Sequence, residues 1–332
     1  MNQYGKARQP FLFIIDFEMK KIIVERLDEL SDEIVYQIGD YGNNSLSKTS
    51  SRPHFESLAI QKDEYQLKFA SAQEELAYGN SFLLNLTCAT PLLTQNNLSD
   101  FYAHAQAQYK VLLKNEFVSF SPESFVKIKN GRIYSYPMKG TSSFADDPDG
   151  SALLNNQKEN AEHATIVDLI RNDLSIVSKD VRVERFKYLD LLHTDRGDLY
   201  QMSSEVSGIL EDQFHNWIGS LLFKLLPAGS ISGAPKAKTV EIIRSIEAEE
   251  RGYYTGIAGV FDGYDLDSTV LIRYIEKKKN QFFYRSGGGI TFMSDFEGEY
   301  QELIKKVYVP ISGEHKDTEW PGVQHPQPQQ AV

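Results

Sequence analysis

Apolar residues recur along this chain in two rhythms, and the switches between them mark stretches of strand and stretches of helix. The continuous run Phe11 to Asp16 (FLFIID) and the segment Lys21 to Glu25 read as a strand pair, and the Gly-, Asn- and Ser-rich stretch Gly39 to Ser51 reads as a loop. From Lys62 to Tyr78 the period lengthens. Tyr65, Phe69, Ala72 and Leu76 fall three and four apart, which predicts a helix that Gly79 is placed to end. Ser81 to Thr90 is strand-like again. Phe117 to Phe120, Phe125 to Lys129 and Arg132 to Tyr136 predict a β-rich middle, and Asn130-Gly131 between the last two is a hairpin signal. Ser151 to Ser178 predicts one long helix whose apolar face includes Leu154, Ala161, Ile166, Leu169 and Ile170.

Strand patterns return at Val181 to Tyr188 and Ser203 to Leu210. A helix is expected over Asn216 to Leu226, and Pro235 is placed to start another at its first turn. Gly252 to Phe261, Ser268 to Glu276 and Gln281 to Ser286 read as three more strands, followed by a triple glycine and a closing helix, Glu297 to Tyr308. Strand-rich and helix-rich stretches alternate irregularly rather than as βαβ units, so the expected class is α+β with antiparallel sheets. The segment from Ser312 onward, with its WPGVQHPQPQQ run, is expected to be a disordered tail.

Composition narrows the function classes. With 41% apolar residues over 332 positions the chain can bury a large core, as one two-layered domain or two domains. A net charge of −11 opposes a phosphate backbone or an anionic leaflet at long range, which argues against nucleic acid and membrane surface as partners. Met1 to Pro10 is polar and lacks the apolar stretch of a secretory signal, so a reducing cytoplasm is expected. The one cysteine, Cys88, cannot form an internal disulfide. It lies in a strand-like run rather than a nucleophile-type turn and reads as a buried packing residue.

Five segments place charged and backbone-permissive residues where loops meet regular elements: Ser121 to Ser124 (SPES), Pro137 to Thr141 (PMKGT), Glu159 to Leu174, Gly229 to Lys236 (GSISGAPK) and Arg285 to Glu302. Glu159 and Glu162 lie three apart on one predicted helix, and Glu299 and Glu302 three apart on another, so each pair shares a face. Two such faces across a cleft would suit Mg²⁺, which takes one or two carboxylates plus water and substrate oxygens. Glutamates at this spacing equally describe a solvated helix face. His163, beside Glu162, reads as a packing residue. Gly287, Gly288 and Gly289 would let backbone amides approach an anion, or would make a tight bend.

The segment GSISGAPK fails the Walker pattern, yet offers two hydroxyls, free amides and Lys236 near a helix start. Arg273, in the apparent strand VLIRYI, would grip a carboxylate or face outward. Lys139, followed by Gly-Thr at a strand end, can be partly desolvated to give a neutral nucleophilic amine. Glu123, in a Ser-Pro-Glu turn, is then a candidate general acid. A surface Lys–Glu pair is the alternative for both.

Taken in order, SPESF, PMKGT, the Glu-His-x-x-Ile-Val-Asp-Leu-x-Arg-Asn-Asp-Leu helix, GSISGAPK, YYTGIAGVFDG, the Arg273 strand and SGGGIT with the EYQE helix form a specific series. From about Asn80 to Val309 the chain resembles the chorismate-utilising enzymes, and among them component I of aminodeoxychorismate synthase. The resemblance implies an α+β sandwich of antiparallel sheets flanked by helices. It implies a chorismate-binding catalytic core over 80–310, a shortened N-terminal region 1–79 packing on that core, and a tail over 311–332. Glu162 and Glu302 match the family's magnesium ligands, with Glu159 and Glu299 assisting. Gly140, Thr141, Arg273 and Gly287 to Gly289 match positions that hold chorismate's carboxylates.

The resemblance further implies that Lys139 attacks C2 of chorismate while Glu123 protonates the leaving C4 hydroxyl, and that ammonia from a glutamine amidotransferase partner then enters at C4. Lys139 favours this over anthranilate synthase component I, which generally carries alanine there. Isochorismate or salicylate synthase, using water, and a binding subunit without turnover are the other readings. Gln201 stands where several relatives carry histidine, and a neutral amide can still hydrogen-bond there.

Overall fold

The computed structural model describes residues 1–43, 46–48, 51–58, 60–192 and 198–311. Among them, two nine-stranded sheets, antiparallel throughout, lie face to face with helices on both outer sides. The first sheet runs in space Met138–Ser143, Leu199–Ile209, Arg132–Ser135, Ser124–Lys129, Leu266–Val270, Ile257–Phe261, Phe11–Ile15 and Ile22–Arg26, with Lys179–Leu192 also paired to Leu199–Ile209. The second runs Gly233–Ala234, Leu83–Leu93, Gln281–Thr291, Tyr274–Lys278, Phe117–Ser121, Tyr109–Leu113, Ile34–Ile38 and Tyr41–Gly42, with Glu56–Ser57 also paired to Leu83–Leu93.

The strand Phe11–Ile15 explains why its sequence is apolar without interruption: both of its faces are buried. Leu12 and Ile14 enter the layer between the sheets with Ile34, Tyr36, Val111 and Phe117. Phe11, Phe13 and Ile15 point the other way, into a core shared with Ile166 and Ile170 of the helix Gln157–Ser175 and Leu221 of the helix Ile218–Leu225. On the far side of the second sheet, Leu84, Leu86, Cys88 and Ile290 meet Tyr65, Phe69, Ala72 and Leu76 of Lys62–Ala77 and residues of the helices Lys236–Glu247 and Phe296–Lys305. The helix expected near 62–78 therefore forms, with those four residues as its buried stripe. At roughly 25 cal/mol per Å² of apolar surface, these faces supply the bulk of the folding drive.

Four readings are corrected. The long helix is two, Ser151–Asn155 and Gln157–Ser175, because the Asn156 side chain caps the second by accepting from the Glu159 amide. Ala161, expected on its apolar face, is exposed. The apparent strand Ser268 to Glu276 is also two, Leu266–Val270 in the first sheet and Tyr274–Lys278 in the second. Arg273 lies at the crossing between them, with φ of 51°. The triple glycine does not follow a strand but sits inside one, Gln281–Thr291, paired with Thr87, Leu86 and Asn85.

Residues 1–79 do more than pack on the core: Phe11–Ile15 and Ile34–Ile38 are paired strands within the first and second sheets respectively. The expected loop 39–51 includes the short strand Tyr41–Gly42 and lies partly outside the described residues, and the expected tail from Ser312 lies wholly outside them.

Candidate active site

The cleft forms where the edge strand Met138–Ser143 of the first sheet faces the strand Gln281–Thr291 of the second, with the helices Gln157–Ser175 and Phe296–Lys305 alongside. Lys139 lies within its strand, at a bulge where the register slips between Lys139 and Thr141. A bulge re-aims a side chain. The Lys139 ammonium crosses to the opposite sheet, with Nζ 3.2 Å from the point a β-carbon on Gly289 would occupy. Gly140, at the bulge, has φ of 70°, and a β-carbon there would stand 2.8 Å from Glu159 Oε2. Both glycines are thus spaces that neighbouring charged side chains fill.

Glu123 sits in the turn between Phe117–Ser121 and Ser124–Lys129, as the Ser-Pro-Glu sequence suggested. Its amide donates to Ser121 Oγ (3.0 Å), and its carboxylate accepts a short hydrogen bond from Ser230 Oγ. Part of the residue remains exposed, while protein packs round the carboxyl group. Burial pushes its pKa up, against the opposing pull of the Ser230 hydrogen bond and of the cations Lys139, Arg273 and Lys306. All three cations act on the same carboxyl group.

Three of the four glutamates lie against this cleft, from two separate helices. Glu159 lies against Gly140, and Glu162 follows one turn later, half-buried. Across the cleft, Glu299 Oε2 stands 3.2 Å and Glu302 Oε1 4.0 Å from the β-carbon position of Gly288. Ser294 Oγ donates to Glu299 Oε1 at 2.7 Å. Among the described residues no group of three or more His, Cys, Asp or Glu is gathered closely enough to hold a metal by itself. The donor set nevertheless fits Mg²⁺. That ion prefers hard carboxylate oxygens and completes its octahedron with water and substrate oxygens. Glycine at 140 and 288 lets three of the four carboxylates come up against bare backbone.

Arg273 takes a left-handed backbone conformation, which costs an arginine about 1 kcal/mol and is held by the inter-sheet crossing. Its guanidinium lies 5.3 Å from the centre of the Tyr308 ring, and its buried Nε has no hydrogen-bond partner. Thr141 is exposed and paired with Gln201, which also pairs with Asp190. Lys236 is held apart from this group: its ammonium donates to Asp173 Oδ2 (2.7 Å) and to the Leu225 carbonyl (2.9 Å). His163 is fully buried, packs on Phe186, and has Nε2 2.6 Å from Ser204 Oγ. Burial, with Lys187 and Lys139 nearby, pushes its pKa down to about 4 and keeps the ring neutral.

Two cleft residues escaped the sequence reading. Lys306 Nζ binds Glu302 Oε1 (2.6 Å) and the Gly287 carbonyl (2.9 Å), and burial lowers its pKa. Its spacing of four from Glu302 was a visible signal. Asn85 pairs directly with Gly289 and buries an Oδ1 with no partner; an asparagine inside an apolar strand (FLLNLT) was its only mark.

Two antiparallel sheets with helices outside frame a cleft lined by lysine, arginine and glutamate side chains. Residues 11–312 match the family model for chorismate binding enzyme, and the chain belongs to that family. It is 46% identical over 314 residues to an uncharacterized PabA-like protein of Haemophilus influenzae, covering 94% of this chain and 95% of that one. It is 32% identical over 267 residues to aminodeoxychorismate synthase component 1 of Escherichia coli, covering 74% of this chain and 56% of that enzyme, so the match spans little more than half of that relative's length. Among solved structures, anthranilate synthase component I from Streptococcus pneumoniae superimposes with a TM-score of 0.64 at 27% identity, covering 79% of this chain and 60% of that one. No helix among the described residues is long and apolar enough to cross a membrane.

Proposed function

We propose that this chain is an aminodeoxychorismate synthase component, converting chorismate and ammonia into 4-amino-4-deoxychorismate and water. What supports the reading is that the Lys139 amine reaches Gly289 on the far wall and that its charge acts on the buried Glu123 carboxyl. A nucleophilic amine and an acid whose burial favours the protonated form are the two groups that a covalent substitution needs.

Lys139 Nζ bonds to C2 of the ring, the double bonds shift, and the C4–O bond breaks. Glu123 gives its proton to the departing hydroxyl, which leaves as water. Ammonia then bonds to C4, the C2–N bond breaks, and Lys139 departs as a neutral amine. The new C4 ammonium returns one proton to the Glu123 carboxylate, so the chain ends as it began. Dividing one hard displacement into two is the benefit of the covalent route.

Arg273, with its unpartnered Nε, the glycine-lined wall at Gly287 to Gly289, and Gly140 with Thr141 are assigned to chorismate's carboxylates. Glu162 and Glu302 would hold Mg²⁺, with Glu159 and Glu299 supporting them. Bound there, the ion supplies positive charge against a substrate carboxylate in a site rich in acidic groups. Lys306 adds a further cation beside the same wall.

Ammonia is assigned to a separate glutamine amidotransferase. Such enzymes attack glutamine with a cysteine thiolate, whereas burial pushes the Cys88 thiol here up to about 12 inside a strand. Purified protein incubated with chorismate, Mg²⁺ and ammonium should form a product with nitrogen on C4, and Lys139→Ala should abolish most of it. Glutamine should not replace ammonium unless the partner is added. Nitrogen at C2 with loss of pyruvate, a hydroxylated isomer without nitrogen, or full turnover by Lys139→Ala would each overturn the assignment.

A further inference from the structure

We infer that Arg251 is a positioning residue for catalysis: gripped by Glu247, it ties the Ile231 carbonyl to the Asn85 carbonyl on the Gly289 wall and so holds the hydroxyl that orients Glu123. The inference rests on the proposed role of Glu123 as the acid, and it adds a device that aims it.

Arg251 is 1% exposed, and all five of its guanidinium N–H groups are used. Nε and Nη2 donate to the two carboxylate oxygens of Glu247, at 2.8 and 2.7 Å. Nη1 donates to the Ile231 carbonyl at 3.0 Å and to Thr255 Oγ1 at 3.4 Å. Nη2 donates again, to the Asn85 carbonyl at 2.7 Å. Ile231 directly follows Ser230, the donor to Glu123, and Asn85 is the residue paired with Gly289, the wall that Lys139 meets. One side chain therefore ties the acid's support and the amine's wall to a single rigid plane.

Glu247 is fixed in turn, since its Oε1 also accepts from the Thr87 amide and Thr87 Oγ1, both at 2.9 Å. The backbone of Arg251 is held from the other side, its amide and that of Gly252 donating to Glu18 at 3.0 Å each. A buried ion pair is weak evidence for stability, because apolar residues of the same volume often serve as well. Apolar residues could not, however, hold two carbonyls from separate segments in fixed relation. Lysine could not either: three donors on one atom lack the planar fork.

The loop carrying Ser230 is pinned at its other end by the Lys236–Asp173 pair, with Asp173 Oδ2 2.9 Å from the β-carbon position of Gly229. The Asn85 amide also donates to the Ser232 carbonyl at 2.9 Å, so Arg251 contributes the height and angle of the Ile231 carbonyl between that bond and Ser230. Displacements of about 1 Å in such supports cost on the order of 100-fold in rate.

The test compares Arg251→Lys, Ser230→Ala and their combination in the full chain, using chorismate, Mg²⁺ and ammonium. Arg251→Lys should lower kcat about 10- to 100-fold with KM for chorismate unchanged, and should add little once Ser230 is alanine. If Arg251→Lys does not fold, Glu247→Gln takes its place under the same criteria. A variant with a lowered melting temperature but normal kcat, or effects that multiply in the double variant, would overturn the inference. A second readout is independent of turnover: ¹³C-glutamate NMR of the Glu123 carboxyl, assigned with Glu123→Gln. Losing the Ser230 bond removes support for the charged form, so Ser230→Ala and Arg251→Lys should both raise the titration midpoint against the same neighbours Lys139, Arg273 and Lys306. An unmoved midpoint in Arg251→Lys sinks the positioning role, whereas a wild-type protein that turns over no chorismate, with both midpoints raised, sinks only the proposed reaction.

Discussion

The Nζ of Lys139 lies 3.2 Å from the place where a side chain on Gly289 would begin, so a residue on the edge of one sheet touches the bare backbone of the other. The same point is 3.2 Å from Leu83 Cδ1. Alanine at 289 would press on the tip of a flexible lysine rather than on backbone, and the lysine would give way. Gly289→Ala should therefore fold with an almost unchanged melting temperature while losing on the order of 100-fold in kcat, the amine having been displaced from its line of attack. A variant that keeps wild-type kcat would mean that Lys139 does not act from this position.

Glu123 couples activity and stability to pH in the same sense, both falling as its carboxyl loses its proton. Its folded carboxyl binds a proton more tightly than the unfolded one, because burial dominates. Stability is therefore lost as pH rises from the ordinary glutamate value of about 4.3 toward the raised one. Glu123→Gln, neutral and of the same shape, should melt at a higher temperature than wild type, with a gap that widens across that window. It should also lose turnover and the alkaline limb of the rate profile, since the acid must carry its proton. Differential scanning calorimetry and initial rates over a pH series check both, and a gap independent of pH would refute the buried-acid account.

Lys236 separates two roles by which constant moves. Its ammonium is shared between Asp173 and the Leu225 carbonyl beneath the Ser230 loop. Lys236→Met would leave the Asp173 carboxylate buried without its cation, at a cost of about 3 kcal/mol. If Lys236 acts as this brace, thermal melting should fall sharply while KM for chorismate holds. If instead it grips substrate, KM should rise in a protein of nearly normal stability.

Local chemistry made much of this legible. The hairpin Asn130-Gly131 forms with φ of 52° and 74°, and Tyr65, Phe69, Ala72 and Leu76 line the buried stripe of their helix, because both features depend on near neighbours alone. The class of fold followed from the irregular order of elements. Arg273 could not be placed that way: Val270 and Tyr274 are both strand residues, and nothing local tells that they belong to different sheets. The glycine run misled for a related reason. Three glycines disfavour a strand on their own, and only the side chains crossing from Lys139, Glu299 and Glu302 explain why a strand here needs bare backbone. Arg251 left only a spacing of four from Glu247 as a mark, since its other partners Asn85 and Ile231 lie far from it in sequence.

The glutamate pairs give a prediction in which fold and metal separate. Glu302 is ion-paired with Lys306 and half-exposed, with 51% of its side chain open, and Glu162 is half-buried one turn from Glu159. Neither anchors a core cluster, so Glu162→Gln should leave thermal melting close to wild type, while Glu302→Gln, which takes the anion from Lys306, should lower it modestly. Each removes one anionic oxygen donor from a set that offers a hard dication few alternatives, and outer partners cannot replace a lost ligand. The Mg²⁺ concentration for half-maximal rate should rise at least tenfold in each variant. Mn²⁺ bound as a paramagnetic substitute, counted by electron paramagnetic resonance, should weaken in parallel without any turnover being needed. Because the two residues sit on different helices, the double variant decides whether they serve one ion. A shared site predicts that the second substitution adds little after the first has abolished binding, whereas two independent weak sites predict stepwise loss of two equivalents of manganese. The second result would break the link between the helices on which the metal assignment stands.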